Sequence, residues 1–334
     1  MIHSIPFFLD LQLLNLYLLK KRPLKIHHSI KEFKPTTPTI VTLGTFDGVH
    51  IGHKKIIERL VLDAAVSGGE TVILTFFPHP RMILQDGTDI KLLNTLEEKS
   101  LLLEQCGIDH LIIHPFDQEF SRLTAEEFVE DILVNQFHLK KIIIGHDHRF
   151  GRNRTANIDD LINFGNQFSF EVEQISAQEI DEVSVSSTKI RNALSEGNCQ
   201  LANEYLGYPY FLTGIVEKGK SIGRTIDFPT ANLVIKESYK LIPKNGVYVV
   251  SAPLNNQTVY GMMNIGFNPT VNGEKQSIEI HFFNWNADLY NQKIQVNILE
   301  HLREEQKFDS IEALKVQLQK DQTSSLKVIE KYRL

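Results

Sequence analysis

The chain has 334 residues, 42% apolar and 23% charged, with a net charge of −6. These are ordinary values for a folded protein long enough to bury two cores, and an acidic chain without a long basic run is not a general nucleic-acid binder. Its two cysteines, Cys106 and Cys199, lack C-x-x-C spacing. That excludes a disulfide or cysteine–zinc framework and points to a reducing cytoplasm, with both thiols read as small apolar residues near helix ends.

The segment Ile5–Leu19 is apolar but interrupted by Asp10, Gln12 and Asn15, and Lys20-Lys21-Arg22 follows it. It is too short and too polar to span a bilayer, and its basic residues lie on the wrong side for a secretory signal. Residues 1–23 are read as a disordered extension, with a membrane-touching amphipathic role as the minor alternative, ahead of a first domain over 24–200.

Within that domain the β-type run Thr39–Leu43 feeds the turn Gly44–His53, and a helix is expected from Lys54 to Ser67, closed by Gly68-Gly69. A strand, a tight glycine turn and a helix present backbone N–H groups to phosphate. His50 and His53 flank the helix start with Gly52 between the two, where a ligand can approach closely and two imidazoles can donate hydrogen bonds. A Walker-type P-loop is excluded, because no G-x-x-x-x-G-K-[ST] follows the strand.

Thr71–Phe77 reads as a buried strand ending in Pro78-His79-Pro80-Arg81, a loop whose His79 and Arg81 are candidates to face a phosphate or ring. Thr95-x-x-Glu98 and Thr124-x-x-Glu127 are capping boxes opening helices to Gly107 and Gln136, each followed by a strand, Asp109–His114 and Lys141–Ile144. A glycine-framed loop then carries Asp147, Arg149, Arg152 and Arg154, charges suited to a triphosphate and ribose or, alternatively, to a solvated basic surface. A helix (Asn157–Phe164) and the strand Ser169–Ile175 complete five βα repeats, which implies a parallel sheet. In Ser184–Leu194, Ser186, Ser187 and Thr188 can cap a helix bearing Lys189 and Arg191, a second anion site or an ordinary N-cap.

After a linker over 197–208 the texture changes. Short β-rich runs at Phe211–Glu217, Val247–Ala252, Val259–Ile265, Ser277–Phe283 and Lys293–Leu299 predict a small antiparallel barrel over 207–334. In the fourth run Ile278, Ile280 and Phe282 share one face, so Glu279 points to the other, as an exposed strand glutamate or as a site residue. Ile311, Leu314, Val316 and Leu318 suggest a closing helix packed on the barrel.

The wording of the first turn, T-F-D-G-V-H-x-G-H, carries the H-x-G-H signature of nucleotidyltransferases and resembles the N-terminal module of bacterial bifunctional riboflavin kinase/FAD synthetases. The stretch 145–161 resembles that family's G-x-D-F-R-F-G motif, with His148 at a usual Phe and Ala156 at a usual Gly. Ser186–Arg191 resembles S-S-T-x-I-R, and Gly219–Leu233 resembles G-x-x-x-G-R-x-x-G-F-P-T-A-N-L with Asp227 at a usual Gly. The acidic, glycine-containing turn of the family here reads Asn284–Gln292, with Asn284 and Asn291 as departures, and His301–Asp321 is similar to its closing segment. The likeness runs over 24–334.

The resemblance implies an α/β Rossmann-like nucleotidyltransferase domain followed by a riboflavin kinase barrel with a C-terminal helix. Its implied activities are phosphorylation of riboflavin to FMN and adenylylation of FMN to FAD, with ATP and Mg²⁺ as co-substrate and cofactor. In the first domain it assigns ATP and FMN binding to Gly44, Phe46, Asp47, Gly48, Gly52, Asp147, Arg149, Ser186, Ser187, Thr188 and Lys189, and catalysis to His50, His53 and Arg191. In the second it assigns nucleotide and flavin contacts to Gly219, Gly223, Arg224, Pro229 and Arg303, metal binding to Thr230 and Asn232, and the general base to Glu279. For Arg303 a structural ion pair is the alternative. The expected partners are riboflavin, FMN, FAD and ATP, with the protein a monomer or weak homo-oligomer. Rival readings are a nucleotidyltransferase for another substrate, an FAD synthetase with an impaired kinase, and a flavin-binding protein without catalysis.

Overall fold

A computed structural model describes residues 23–84, 90–145, 149–176, 185–219, 227–270 and 273–333. The contacts divide the chain between Val185 and Ser186 into two compact units.

In the first unit the strands are β1 (Lys25–His27), β2 (Thr39–Leu43), β3 (Glu70–Phe76), β4 (His110–His114), β5 (Leu139–Gly145) and β6 (Glu171–Ile175). Among the described residues they form one sheet in the order β1-β4-β3-β2-β5-β6, with every neighbouring pair parallel. The parallel sheet is as expected, with one further strand: β1 at the edge is only three residues long and carries no alternation to read. All five residues of β2 are buried, as a strand covered on both faces requires. Helix α1 (Ile51–Ser67) packs on β2, β3 and β5 through Ile56, Ile57, Leu60, Val61 and Ala64, and Gly68 ends it in the left-handed conformation. On the other face Val41, Leu43, Val72, Leu74 and Ile142 meet Phe33, Val129, Leu133 and Phe137.

Both capping boxes are present, at Thr95/Glu98 before helix α2 (Leu96–Gln105) and at Thr124/Glu127, and Asn157 caps the expected helix α3 (Ile158–Phe168). The second opens a turn that continues as a π-helix over Phe128–Gln136. Cys106 caps α2 and Cys199 begins a later helix, both as free thiols.

Strand order decides where a ligand can sit. From β2 the chain winds outward through β3 and β4, then returns to pair β5 against the other side of β2. The carboxyl ends of β2 and β5 therefore flank the topological switch point, where open α/β sheets bind ligands.

The second unit begins with helices α4 (Ser187–Glu196) and α5 (Cys199–Leu206). The second falls within the expected linker and is tied to the barrel, since Asn203 donates to the Ile298 carbonyl and accepts from the Tyr210 amide. Strands β7 (Phe211–Glu217), β8 (Ala231–Val234), β9 (Gly246–Leu254), β10 (Gln257–Thr270), β11 (Gly273–Phe282) and β12 (Lys293–Arg303) close an antiparallel barrel in the order β10-β11-β8-β7-β12-β9. The strand not anticipated, β8, lies inside the P-T-A-N-L motif. The closing helix α6 (Ile311–Glu330) covers Met262, Phe283 and Leu299 with Leu314, Leu318, Val328 and Ile329. Ile311 and Val316, expected on the packed face, are instead more than half exposed. The face buried by α6 follows Leu314, Leu318, Asp321, Ser325 and Val328, a helical spacing of three to four residues.

Candidate active sites

The turn after β2 holds an unusual backbone. Phe46 and Val49 adopt φ of 45° and 36°, with Gly48 at 88° between these two residues. Bulky and β-branched side chains seldom adopt this conformation, and strain of this kind persists where surrounding structure enforces it. Both side chains are buried, and Asp47, also buried, accepts hydrogen bonds from the amides of Leu93 (2.9 Å) and Asn94 (3.4 Å). Gly44 donates its amide to the Leu74 carbonyl and extends the sheet by one residue, while Gly52 is buried in the first turn of α1.

This turn places the two histidines face to face. His50 is the N-cap of α1, and its Nδ1 accepts from the His53 amide. The rings stack at 3.6 Å with 16° between planes, and Phe46 packs on His53 at 4.9 Å. Burial pushes the His50 imidazole down to about 4. His53 is held well below the ordinary histidine range, first by burial and then by His50 and Lys99. Both rings are neutral at pH 7, so each offers one N–H to a ligand at a helix N-terminus.

Two residues that sequence reasoning passed over complete this neighbourhood. Lys99 in α2 is buried, and its ammonium donates to the Thr45 carbonyl at 2.7 Å. Asn94 is 1% exposed, with neither side-chain polar atom hydrogen-bonded. The signal for Lys99 was its place directly after the capping glutamate, Glu98; nothing local marks a lysine as buried.

Elsewhere on the same sheet edge, Arg81 is exposed and its amide bonds to His79 Nδ1 at 3.1 Å. Asp147 lies outside the described residues, and Arg149 is exposed. Ala156, at the expected glycine position, bonds to Phe150 in both directions at 3.2 Å, a paired geometry that needs no glycine. Ser186 caps α4 by accepting from the Lys189 amide at 3.3 Å, with Ser187, Thr188 and Arg191 in its first turns. That helix belongs to the second unit.

On the barrel, Glu279 of β11 pairs in register with Asn232 of β8 and Asn264 of β10, which sets the three side chains on one face. The Thr230 hydroxyl lies 3.5 Å from the Glu279 carboxylate, longer than a settled O–H···O bond. Gly219 approaches so closely that an added Cβ would lie 2.1 Å from the Asn232 amide nitrogen. Pro229 is exposed, and its carbonyl accepts from His281 Nδ1 at 2.9 Å. Gly223 and Arg224 lie outside the described residues. The Ile278, Ile280 and Phe282 side chains are buried, as the alternation requires. Arg303 makes the structural ion pair: its Nε and Nη2 reach Asp321 at 2.9 and 2.7 Å, and Asp321 is 4% exposed.

A family model described as FAD synthetase matches residues 32–189, and one described as riboflavin kinase matches residues 206–329. The protein named bifunctional riboflavin kinase/FMN adenylyltransferase in Listeria monocytogenes is 36% identical over 300 residues, covering 89% of this chain and 95% of that one. The chain belongs to the bifunctional riboflavin kinase/FMN adenylyltransferase family. The Escherichia coli protein of the same name is 34% identical over 292 residues, 87% of this chain and 93% of its own. A crystal structure titled macrolide-efflux protein from Streptococcus pneumoniae superposes with a TM-score of 0.83 at 31% identity, covering 91% of this chain and 99% of that one. Among the described residues of the present chain, no helix is long and apolar enough to cross a membrane.

Proposed function

We propose that this chain makes FMN and then FAD, with one step in each unit. The observation that carries the reading is the pair of preorganised surfaces: stacked neutral histidines at a sheet switch point, and a carboxylate beside hard neutral oxygens on a barrel.

In the first unit the FMN phosphate attacks the α-phosphorus of ATP and pyrophosphate leaves. The attacking group is already an anion, so no protein nucleophile is needed and catalysis reduces to alignment and charge stabilisation. His50 and His53 donate to phosphate oxygens and the α1 N-terminus adds its amides, while Ser186–Lys189 with Arg191 form an anion-binding helix start of their own. Asp147 and Arg149 bind nucleotide in this reading, with Gly44, Phe46, Asp47, Gly48 and Gly52 shaping the turn.

In the second unit Glu279 takes the proton of the riboflavin 5′-hydroxyl as that oxygen attacks the γ-phosphorus of ATP and ADP leaves. Thr230 and Asn232 would hold Mg²⁺ with the nucleotide. An oxygen-only donor set of this kind fits that ion, which supplies neutralisation of phosphate charge. The departures at Asp227, Asn284 and Asn291 keep φ of 65°, 54° and 61°, the left-handed conformation a glycine would adopt, which supports a working kinase over a decayed one.

The test is chromatography of flavins after incubation with riboflavin, ATP and Mg²⁺, beside a reaction started from FMN. FAD in both supports the reading. FAD from FMN alone places the loss in the barrel, and no product in either overturns it.

A further inference from the structure

Lys99 occupies a position that physical chemistry disfavours three times over. It is 3% exposed, it lies in the first turns of α2 where the helix dipole repels a cation, and an uncharged residue would cap or pack there at less cost. Two contacts compensate. The ammonium donates to the Thr45 carbonyl at 2.7 Å, and the Asp47 carboxylate attracts the charge. Thr45 and Asp47 flank Phe46, the first strained residue of the paired-histidine turn. The same carbonyl also accepts from the Thr75 hydroxyl at 3.3 Å, so β3 and α2 clamp one atom from two sides.

We propose that Lys99 is a positioning residue of the adenylyl-transfer site, anchoring the strained, histidine-bearing turn through the Thr45 carbonyl. The inference rests on the reading that His50 and His53 face the nucleotide. His50 and Phe46 pack on the His53 ring from its own turn. Burial is the first cause that holds His53 low, followed by His50 and then by Lys99, whose own ammonium is pushed down by burial and supported by Asp47. A neutral pair is what a polyphosphate site needs here, since two stacked imidazoliums 3.6 Å apart would repel each other and strain the turn before the ligand arrived.

Two substitutions separate anchoring from charge. Lys99→Gln keeps a donor within reach of the Thr45 carbonyl and removes the charge; Lys99→Met removes both. FAD formation from FMN is followed from pH 5 to 8.5, with riboflavin phosphorylation and a thermal melt measured on the same full-length preparations. Lys99→Met is expected to lower kcat about a hundredfold, the usual consequence of a site loosened by 1 Å. Lys99→Gln is expected to retain more of kcat at pH 8 and to move the acid limb upward, because losing a neighbouring cation eases protonation of His53. Wild-type kcat and acid limb in both variants, with His53→Asn inactive, would overturn the role of Lys99 alone. A fully active His53→Asn would overturn the reading of the turn and the proposal together.

Discussion

Lys315 of α6 pairs with Asp227 at 3.0 Å, and Asp227 stands at a φ of 65°, the left-handed conformation that glycine adopts most easily. The left-handed backbone costs an aspartate about 1 kcal/mol relative to glycine, and an exposed ion pair returns less than about that. Asp227→Gly is therefore expected to leave the barrel as stable as before, or to raise its Tm by a few degrees, with FMN formation retained. Differential scanning calorimetry decides it; a loss of about 2 kcal/mol or more would mean that α6 depends on this contact.

Arg303 and Asp321 predict the opposite outcome. Asp321→Ala strands a guanidinium against a buried surface and is expected to destabilise the barrel by about 3 kcal/mol. Urea unfolding followed by the fluorescence of Trp285, the single tryptophan, measures this directly. An unchanged midpoint would return Arg303 to the list of ligand contacts.

Glu279→Gln keeps the side chain's shape and removes its basicity. Riboflavin phosphorylation is expected to fall by about 10² to 10⁴, while FAD formation from FMN is unaffected. A parallel fall in both rates would point to a folding defect and not to proton transfer.

The histidine pair makes stability depend on pH. His50 is neutral in the folded state down to about 4, whereas an unfolded histidine protonates near 6.5. Unfolding therefore takes up protons between these values, and the stability contributed by neutral His50 is complete above pH 6.5 and is lost as pH falls toward 4. At pH 5 the loss is about 2 kcal/mol. His50→Asn should remove that part of the acid sensitivity, so the Tm difference between pH 7 and pH 5 narrows. An equal difference in both proteins would place His50 in solvent.

What the chain declares locally was legible. The boxes Thr95/Glu98 and Thr124/Glu127, the alternation around Glu279 and the glycine turn after Thr39–Leu43 are short-range signals, and the elements they mark are present, though the helix after the turn starts three residues earlier than expected, at Ile51, and β11 four residues earlier, at Gly273. Elements without such signals were missed. Lys25–His27 is a strand because β4 offers it an edge, and Ala231–Val234 because β7 and β11 do; neither segment has a pattern of its own. Helix α5 had its marks in the Asn198 cap and Gly207, overlooked because they fell between two motifs. The alternating apolar residues of 311–318 were grouped by composition, whereas α6 buries only those spaced three or four apart. Burial of Lys99 and Asn94 depends on residues fifty positions away, which no window along the chain can reveal.

Closure of the barrel has a consequence for how this protein associates with others. With the barrel closed on itself, the open six-stranded sheet keeps two margins, β1 and β6, among the described residues. Both margins are guarded. β1 offers three residues, too few to template a partner, and β6 projects Glu173 into a cluster with Arg59 and Lys141 that an added strand would have to tolerate. The folded sheet thereby offers no long, uncharged margin for strand addition among its described residues.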